Sequence, residues 1–407
     1  MIRGLQGLFQ DESRFYRLML VVGGSTAVLK GLRMPYIWGA TQAQIDYRNG
    51  YMRRGLFGEI CRQLHIPIWH YGVFAAVSFV LLAGLFWSLA RSVRRSGLDA
   101  AGLGAFSALV ASSFCITMLT NLVGYCDILM TLLVLVVMQF RKPSVQVMAA
   151  LAAGIVGVLV HEMYAVAFLA VSLACTVCVL AFENDGNKRL WLGIGAAAII
   201  PWAIILAPIC HARMTSDEIA KLAAAIRERV NFPSHDGVLV AIFSNSSGEN
   251  VRKMWGFMHA GTYWVEEFFG LLAFLPTTLF FLALAWRVAG ERRGLRWYLA
   301  LCTFAPMLLN LVAYDRYRWL ALMELNAVLC AIAVCWSTRR LHGDGVQLAF
   351  GPAWRRAAVL LIALNLATDI GLFQVHGRSF PFVQYWNTFH TRGYSLERLL
   401  APPDILL

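Results

Sequence analysis

Apolar runs of about 18 residues or more recur along nearly the whole chain, and they constrain its fold more than any other feature. Runs of that length match the hydrocarbon thickness of a bilayer at about 1.5 Å per helical residue. In lipid every backbone N–H and C=O must pair internally, which leaves helices or a closed barrel. A barrel strand alternates over about ten residues, whereas these runs are continuous. The expectation is an all-α, polytopic transmembrane protein forming one integral membrane domain over 1–407. Only 14% of residues are charged and 59% are hydrophobic, against about 25% charged in soluble domains. About eleven spans are expected, covering roughly 16–38, 68–90, 101–120, 122–140, 144–161, 163–182, 190–209, 265–286, 297–315, 318–337 and 356–376. Lys30 and Arg33 interrupt the outer end of the first and are expected to snorkel. Arg14 and Arg17 precede that run and no small-residue cleavage site follows it, so no cleaved signal peptide is expected.

Charge orients the spans. One set of short loops carries Arg91, Arg94, Arg95, Arg141, Lys142, Lys188, Arg189, Arg287, Arg292, Arg293, Arg296, Arg339, Arg340, Arg355 and Arg356, against the five acids Asp99, Glu183, Asp185, Glu291 and Asp344. By the positive-inside rule these loops face the cytoplasm. The N-terminus is then inside and the C-terminal tail outside, as expected of a bacterial inner-membrane protein. The net charge of +12 is largely topological, and no nucleic-acid partner is expected. Cys175 and Cys178 form a CxxC inside an apolar helix, which reads as a buried structural pair. Cys61 and Cys210 both fall on the outer side, and a bridge between them is left open.

Against this background the stretch 44–59, QIDYRNGYMRRGLFGE, stands apart. It belongs to a first outer loop spanning 39–67. It holds Asp46, Glu59, Arg48, Arg53 and Arg54. Leu56, Phe57, Ile60 and Leu64 then follow amphipathic spacing, which predicts a helix lying in the interface. Further along, each pair of spans turns at a tip bearing ionisable groups. Residues 100–140 hold the single charge Asp127, about six residues or ~9 Å below a turn near 120–121. His161 and Glu162 sit at the midpoint of 143–182, and Asp315, Arg316 and Arg318 at that of 297–338. Glu324 and Asp369 lie in outer halves and are expected to pair with arginines. An unpaired intramembrane charge is costly, so groups sharing one depth point to one outward cavity. Residues 210–264 form the one long outer loop, with a capping box at Thr215–Glu218 and an apolar stripe of Ile219, Leu222, Ile226 and Val230. Asn245 begins an Asn-Ser-Ser sequon, and the outer tail 377–407 is aromatic and polar.

Arginines beside carboxylates at an interface suit sugar transfer from a polyprenyl-phosphate carrier. The lipid tail stays in the membrane, arginine stabilises the leaving phosphate, and a carboxylate takes the acceptor proton. Asp46 is the expected base, with Arg53 and Arg54 on the phosphate and Arg316 and Arg318 opposite. The first-loop acid Asp46 in Ile-Asp-Tyr, the amphipathic helix after it and the acid of Gly124-Tyr125-Cys126-Asp127 resemble the GT-C superfamily of polytopic glycosyltransferases. Size and span count are similar to O-antigen and capsule polymerases of the Wzy/EpsG type. The resemblance implies a lipid-phosphate-sugar donor, a glycan or glycolipid acceptor and a role in cell-envelope glycan or glycolipid assembly. It implies catalytic roles for Asp46 and Asp127; the residues' own placement adds Glu59, His161, Glu162 and Asp315 as catalytic candidates and Arg48, Arg53, Arg54, Arg316 and Arg318 as substrate contacts. No protein-bound cofactor is assigned, and a divalent metal between the carboxylates is left open. The competing expectation is a transporter or flippase of lipid-linked saccharide or a small solute. Transporters place polar residues at the midplane within interrupted, repeated helices, and no repeat is visible.

Overall fold

A computed structural model describes residues 12–48, 50, 52–183, 188–206, 213–244, 247–259, 261–313, 315–342 and 351–368. Cys210, Asn245, Asp369 and the tail 377–407 lie outside them. The described residues are helical, with no strand. In chain order the helices are α1 (Glu12–Gly31), α2 (Ile37–Gln42), α3 (Leu56–Gln63), α4 (Tyr71–Arg94), α5 (Ala100–Ser112), α6 (Phe114–Asn121), α7 (Cys126–Gln139) and α8 (Pro143–Val160). Then follow α9 (Met163–Ala167), α10 (Leu169–Ser172), α11 (Ala174–Glu183), α12 (Lys188–Leu206), α13 (Ser216–Arg229), α14 (Asp236–Phe243) and α15 (Ser247–Met258). The rest are α16 (Gly261–Ala289), α17 (Arg293–Phe304), a 3₁₀ turn (Ala305–Leu311), α18 (Arg316–His342) and α19 (Pro352–Ala367).

Helices occupy each of the eleven expected stretches. Among the described residues five helices are long and apolar enough to cross a membrane unaided: α4, α8, α12, α16 from Glu267, and α18. Six qualify if α5 and α6, bent by 43° at Ser113, count as one broken span. Two of the other stretches are shortened by breaks. Phe168 and Leu173 interrupt 163–183, and Pro306 sits in the 3₁₀ turn that ends α17.

α18 is the axis of the bundle, and almost all of its apolar stretch is buried. α16 packs along it, with α6, α11 and α17 against other faces. α1 lies on α5 and α6, α12 on α8, and α4 on α7. Apolar burial alone gives little drive between helices in lipid, so close approach of small residues matters more. A Cβ on Gly31 of α1 would sit 1.9 Å from Thr120 Oγ1 and 2.0 Å from the Thr117 carbonyl of α6. The breaks expose backbone carbonyls that buried side chains then satisfy. Asn326 of α18 donates to Ala167 O (2.7 Å) and Cys302 O (2.8 Å). Cys175 and Cys178 are buried free thiols of α11, and Cys61 is free and buried.

Two sequence expectations need correction. Lys30 does not snorkel: it is buried, and its ammonium donates to Asn365 O (3.2 Å), Leu366 O (3.0 Å) and Thr368 O (2.5 Å). The C-terminal carbonyls of α19 lack intrahelical partners and carry partial negative charge, so they serve a cation as water would. Glu324 does not pair with an arginine. Its Oε2 accepts the Cys115 N–H (2.7 Å) at the start of α6, one of the donors the break leaves open.

The bundle has two chemically distinct ends. At one, the basic loops meet. Arg340 donates to Arg141 O, Arg292 to Ala181 O (3.0 Å), Arg287 lies over Trp354, and Arg355 pairs with Glu12 of α1. At the other lie the first loop and the long loop, which pack together. The capping box at Thr215 forms as expected and starts α13. Ile219, Leu222, Ala223 and Ile226 of α13, with Val238, Leu239, Ile242 and Phe243 of α14, enclose Ile45 and Met52. His235 N–H donates to Thr41 Oγ1 (3.0 Å), and Asn231 is bonded to both Trp69 O and Tyr71 N–H. The two helices therefore form a cap over the first loop.

Candidate functional site

The first loop is held by tight local geometry. Arg54 adopts φ +63°, a left-handed conformation uncommon for a residue with a side chain. A Cβ on Gly58 would lie 2.2 Å from Ile45 O, so only glycine lets α3 approach the strand of loop behind it. The amphipathic helix expected after Arg54 forms as α3, and Glu59 anchors it. Its oxygens accept from Arg62 Nε (2.9 Å), Gln63 Nε2 (2.7 Å) and Tyr47 N–H (3.3 Å). The hydrogen bonds from Arg62 and Gln63 hold the Glu59 carboxyl down at about 2. It behaves as a clamp within the loop.

The turn at 53–54 points Arg54 at the break between α8 and α9. Arg54 Nε lies 3.1 and 2.9 Å from the two Glu162 oxygens, and its Nη2 completes the fork. Bidentate arginine–carboxylate geometry is the strong form of this contact. Burial opposes charge on Glu162, but the Arg54 charge prevails and keeps the carboxyl below its ordinary range. The Nδ1 of neighbouring His161 accepts the Met163 N–H (3.2 Å), which makes it the unprotonated nitrogen of a neutral imidazole. The 3.5 Å approach of His161 to Glu162 is not a charged pair.

The third tip meets the first two. Arg318, two residues into the buried start of α18, grips Asp127 through Nε (2.9 Å) and Nη2 (2.7 Å). Its Nη1 reaches Asp315 Oδ2 (3.2 Å), and its Nη2 lies 3.2 Å from Met163 Sδ, next to Glu162. Tyr125 and Trp319 flank the guanidinium at 5.4 and 5.0 Å. Arg53 lies over Phe243 of the cap at 5.7 Å. The charges of Arg53, Arg54 and Arg318 all act on His161. Arg53, Arg54, Asp127, His161, Glu162, Asp315 and Arg318 thus form one cluster, built by four stretches far apart in sequence. Arg316 is buried at the adjoining start of α18.

Asp46 belongs to a neighbouring clamp. Its Oδ1 accepts the Arg48 N–H (3.2 Å), while Oδ2 takes Arg48 Nε (3.0 Å) and Arg229 Nη1 (2.9 Å). Arg229 closes α13 and also reaches Gln44 O (3.4 Å). Sequence reasoning missed Arg229. The helix it ends was legible from the capping box, but nothing local says which surface that helix covers. Among the described residues no group of three or more His, Cys, Asp or Glu is arranged to hold a metal ion.

Two carboxylates of the cluster reach solvent: the Glu162 side chain is 37% exposed and that of Asp315 is 41% exposed. Asp127 and Asp46 are buried and gripped by arginine. Three guanidiniums and a neutral imidazole surround these acids, an arrangement that can bind an anion and accept a proton beside it. No protein-family model, curated protein or solved structure matches this chain.

Proposed function

We propose that the chain is a membrane glycosyltransferase or polysaccharide polymerase that draws its sugar from a polyprenyl-phosphate or polyprenyl-diphosphate carrier, in a GT-C-like arrangement of about eleven crossings. The observation that carries this reading is the joining of three spans' tips through Arg54–Glu162 and Arg318–Asp127, beside the amphipathic helix α3. A lipid-linked phosphate at headgroup depth meets arginines there, and the extracytoplasmic face follows from the loop charge bias. Arg53 and Arg54 bind the phosphate, with Arg316 and Arg318 behind. In an inverting transfer the acceptor hydroxyl oxygen attacks the anomeric carbon. The bond from that carbon to the phosphate oxygen breaks, and the phosphate leaves with its electron pair. The hydroxyl proton passes to a carboxylate. A base must be within reach of the acceptor hydroxyl, and the Asp46 side chain is 8% exposed where that of Asp315 is 41% exposed. We therefore assign the base to Asp315 ahead of Asp46, and give Asp46 the task of tying the cap to the loop. The test is product formation from a lipid-linked sugar by the purified protein in nanodiscs. Asp315→Asn is expected to lower turnover by about 10²–10⁴-fold. Wild-type turnover in that variant, with loss in Asp46→Asn, would return the role to Asp46.

A transporter or flippase is the second reading, favoured by one observation. The break at Ser113 lies within an apolar pair of helices beside the buried carboxyl Glu324, as interrupted helices do in secondary transporters. Movement of a saccharide across proteoliposomes without sugar transfer would decide for it.

A further inference from the structure

Glu324 lies on α18 eight residues beyond Arg316, roughly 12 Å deeper at 1.5 Å per residue. It has zero exposure in the axis of the bundle. Its environment contains one strong contact and no counter-charge. Oε2 accepts the Cys115 N–H at 2.7 Å, while Oε1 accepts no hydrogen bond. The groups that face it are the Cys115 thiol from α6, itself 3.0 Å from Ser113 Oγ, and the Thr277 hydroxyl from α16. Beyond Thr277 stands Asn365 of α19, whose Oδ1 accepts the Thr277 hydroxyl hydrogen at 3.4 Å. The Lys30 ammonium is committed to the carbonyls at the end of α19. Among the described residues no cation acts on the Glu324 carboxyl.

Donor arithmetic then selects a protonation state. Thr277 has one hydroxyl hydrogen and two takers, Asn365 Oδ1 at 3.4 Å and the Glu324 carboxyl, and it cannot serve both. An ionised Glu324 would leave Oε1 as an orphan charge-bearing oxygen inside a span, at a cost of several kcal/mol. A protonated Glu324 has an O–H to give, and the Thr277 oxygen has lone pairs to receive it. We propose that Glu324 is a proton-binding site of the membrane interior, in which the carboxyl oxygen Oε2 accepts the α6 N-terminus and the O–H on Oε1 feeds a Glu324–Thr277–Asn365 relay. The site lies beneath the arginine cluster. Loss of its proton would put a negative charge at the positive end of α6, beside the 43° break at Ser113. The inference holds under either reading of the function.

Infrared spectroscopy of the full chain in nanodiscs tests it, since a protonated carboxyl has a carbonyl stretch distinct from a carboxylate's. The wild-type protein at neutral pH is expected to show a protonated-carboxyl band that is lost in Glu324→Gln. Thr277→Val should move that band, because it removes the acceptor of the O–H. Glutamine reproduces the shape and neutrality of the acid, so Glu324→Gln should fold with an unchanged thermal midpoint. Identical protonated-carboxyl bands in the wild type and Glu324→Gln would overturn the proposal, as would a Glu324→Gln chain that fails to fold. A band that Thr277→Val leaves unmoved would overturn the relay.

Discussion

Arginine does opposite work at the two ends of this bundle. At the basic-loop end, Arg292 and Arg340 rest on backbone carbonyls and Arg287 on a tryptophan ring. Those contacts close helix ends and ask nothing of a second charge; the Arg355–Glu12 pair at the same end is partly exposed, so neither charge depends on the other to be tolerated. At the other end, Arg54, Arg229 and Arg318 each cross between distant segments to grip a carboxylate. Arg318 and Asp127 are both buried there, so each depends on the other to be tolerated. The first arrangement is a matter of number and position. The second is a matter of pairing, and breaking one partner harms the other.

Removing Arg318 should separate the two ends most sharply. Arg318→Leu leaves Asp127 charged and buried, and should cost about 3–5 kcal/mol in unfolding free energy. Arg340→Ala at the basic end should cost under about 0.5 kcal/mol. Thermal unfolding in one detergent compares them, and the double variant Arg318→Leu/Asp127→Leu should regain most of the loss. Similar losses from Arg340→Ala and Arg318→Leu would break the comparison.

Next in size is an effect on catalysis. Arg54→Ala should weaken donor binding and lower turnover by about 10²-fold, because phosphate contact exists in ground and transition states. Arg292→Ala, at the other end, should leave turnover unchanged. Single-turnover rates with a lipid-linked sugar would reveal the difference.

The cap should give a smaller response. Arg229→Gln removes a charged hydrogen bond from Asp46 and should cost about 1.5 kcal/mol of local stability. Hydrogen exchange is expected to speed about tenfold in α13 while α18 is unaffected. Slower or unaltered exchange in α13 would mean that its apolar face alone holds the cap down.

The smallest effect belongs to Glu59. Its folded value is depressed from 4.5 to about 2, so the stability it lends is present above 4.5 and is lost as pH falls toward 2. The Tyr47 amide, which Glu59 accepts, should keep its exchange protection at pH 4 and lose it near pH 2. Glu59→Gln should flatten that dependence.

Much of the helical layout was legible because apolar runs and capping signals are local. The tips at Asp127, His161–Glu162 and Asp315–Arg318 were legible as well, since a charge between spans has few places to go. Their partners were not. Nothing near Arg54 says that it turns left-handed to meet Glu162, because that depends on the packing of α3 against Ile45. Arg229 was missed and Lys30 misjudged for the same reason. Each meets its partner across a separation of more than a hundred residues, and hydrophobic periodicity carries no record of such pairings. Glu324 was expected to seek a cation, but a break in a helix offered it an N–H instead.

The Lys30 contact also sets a timetable for biogenesis. Lys30 and its first acceptor are 335 positions apart. At translation speeds of about 5–20 residues per second, roughly 17–67 s separate their synthesis. Throughout that interval the first helix carries an ammonium without the α19 carbonyls that later receive it. The nascent chain must therefore hold α1 in a wetter or shielded setting, such as an insertion machine or a shallow tilt, until α19 arrives. Chains cut before α19 should be recognised by membrane quality control as incomplete, whatever the state of the cluster at the opposite end.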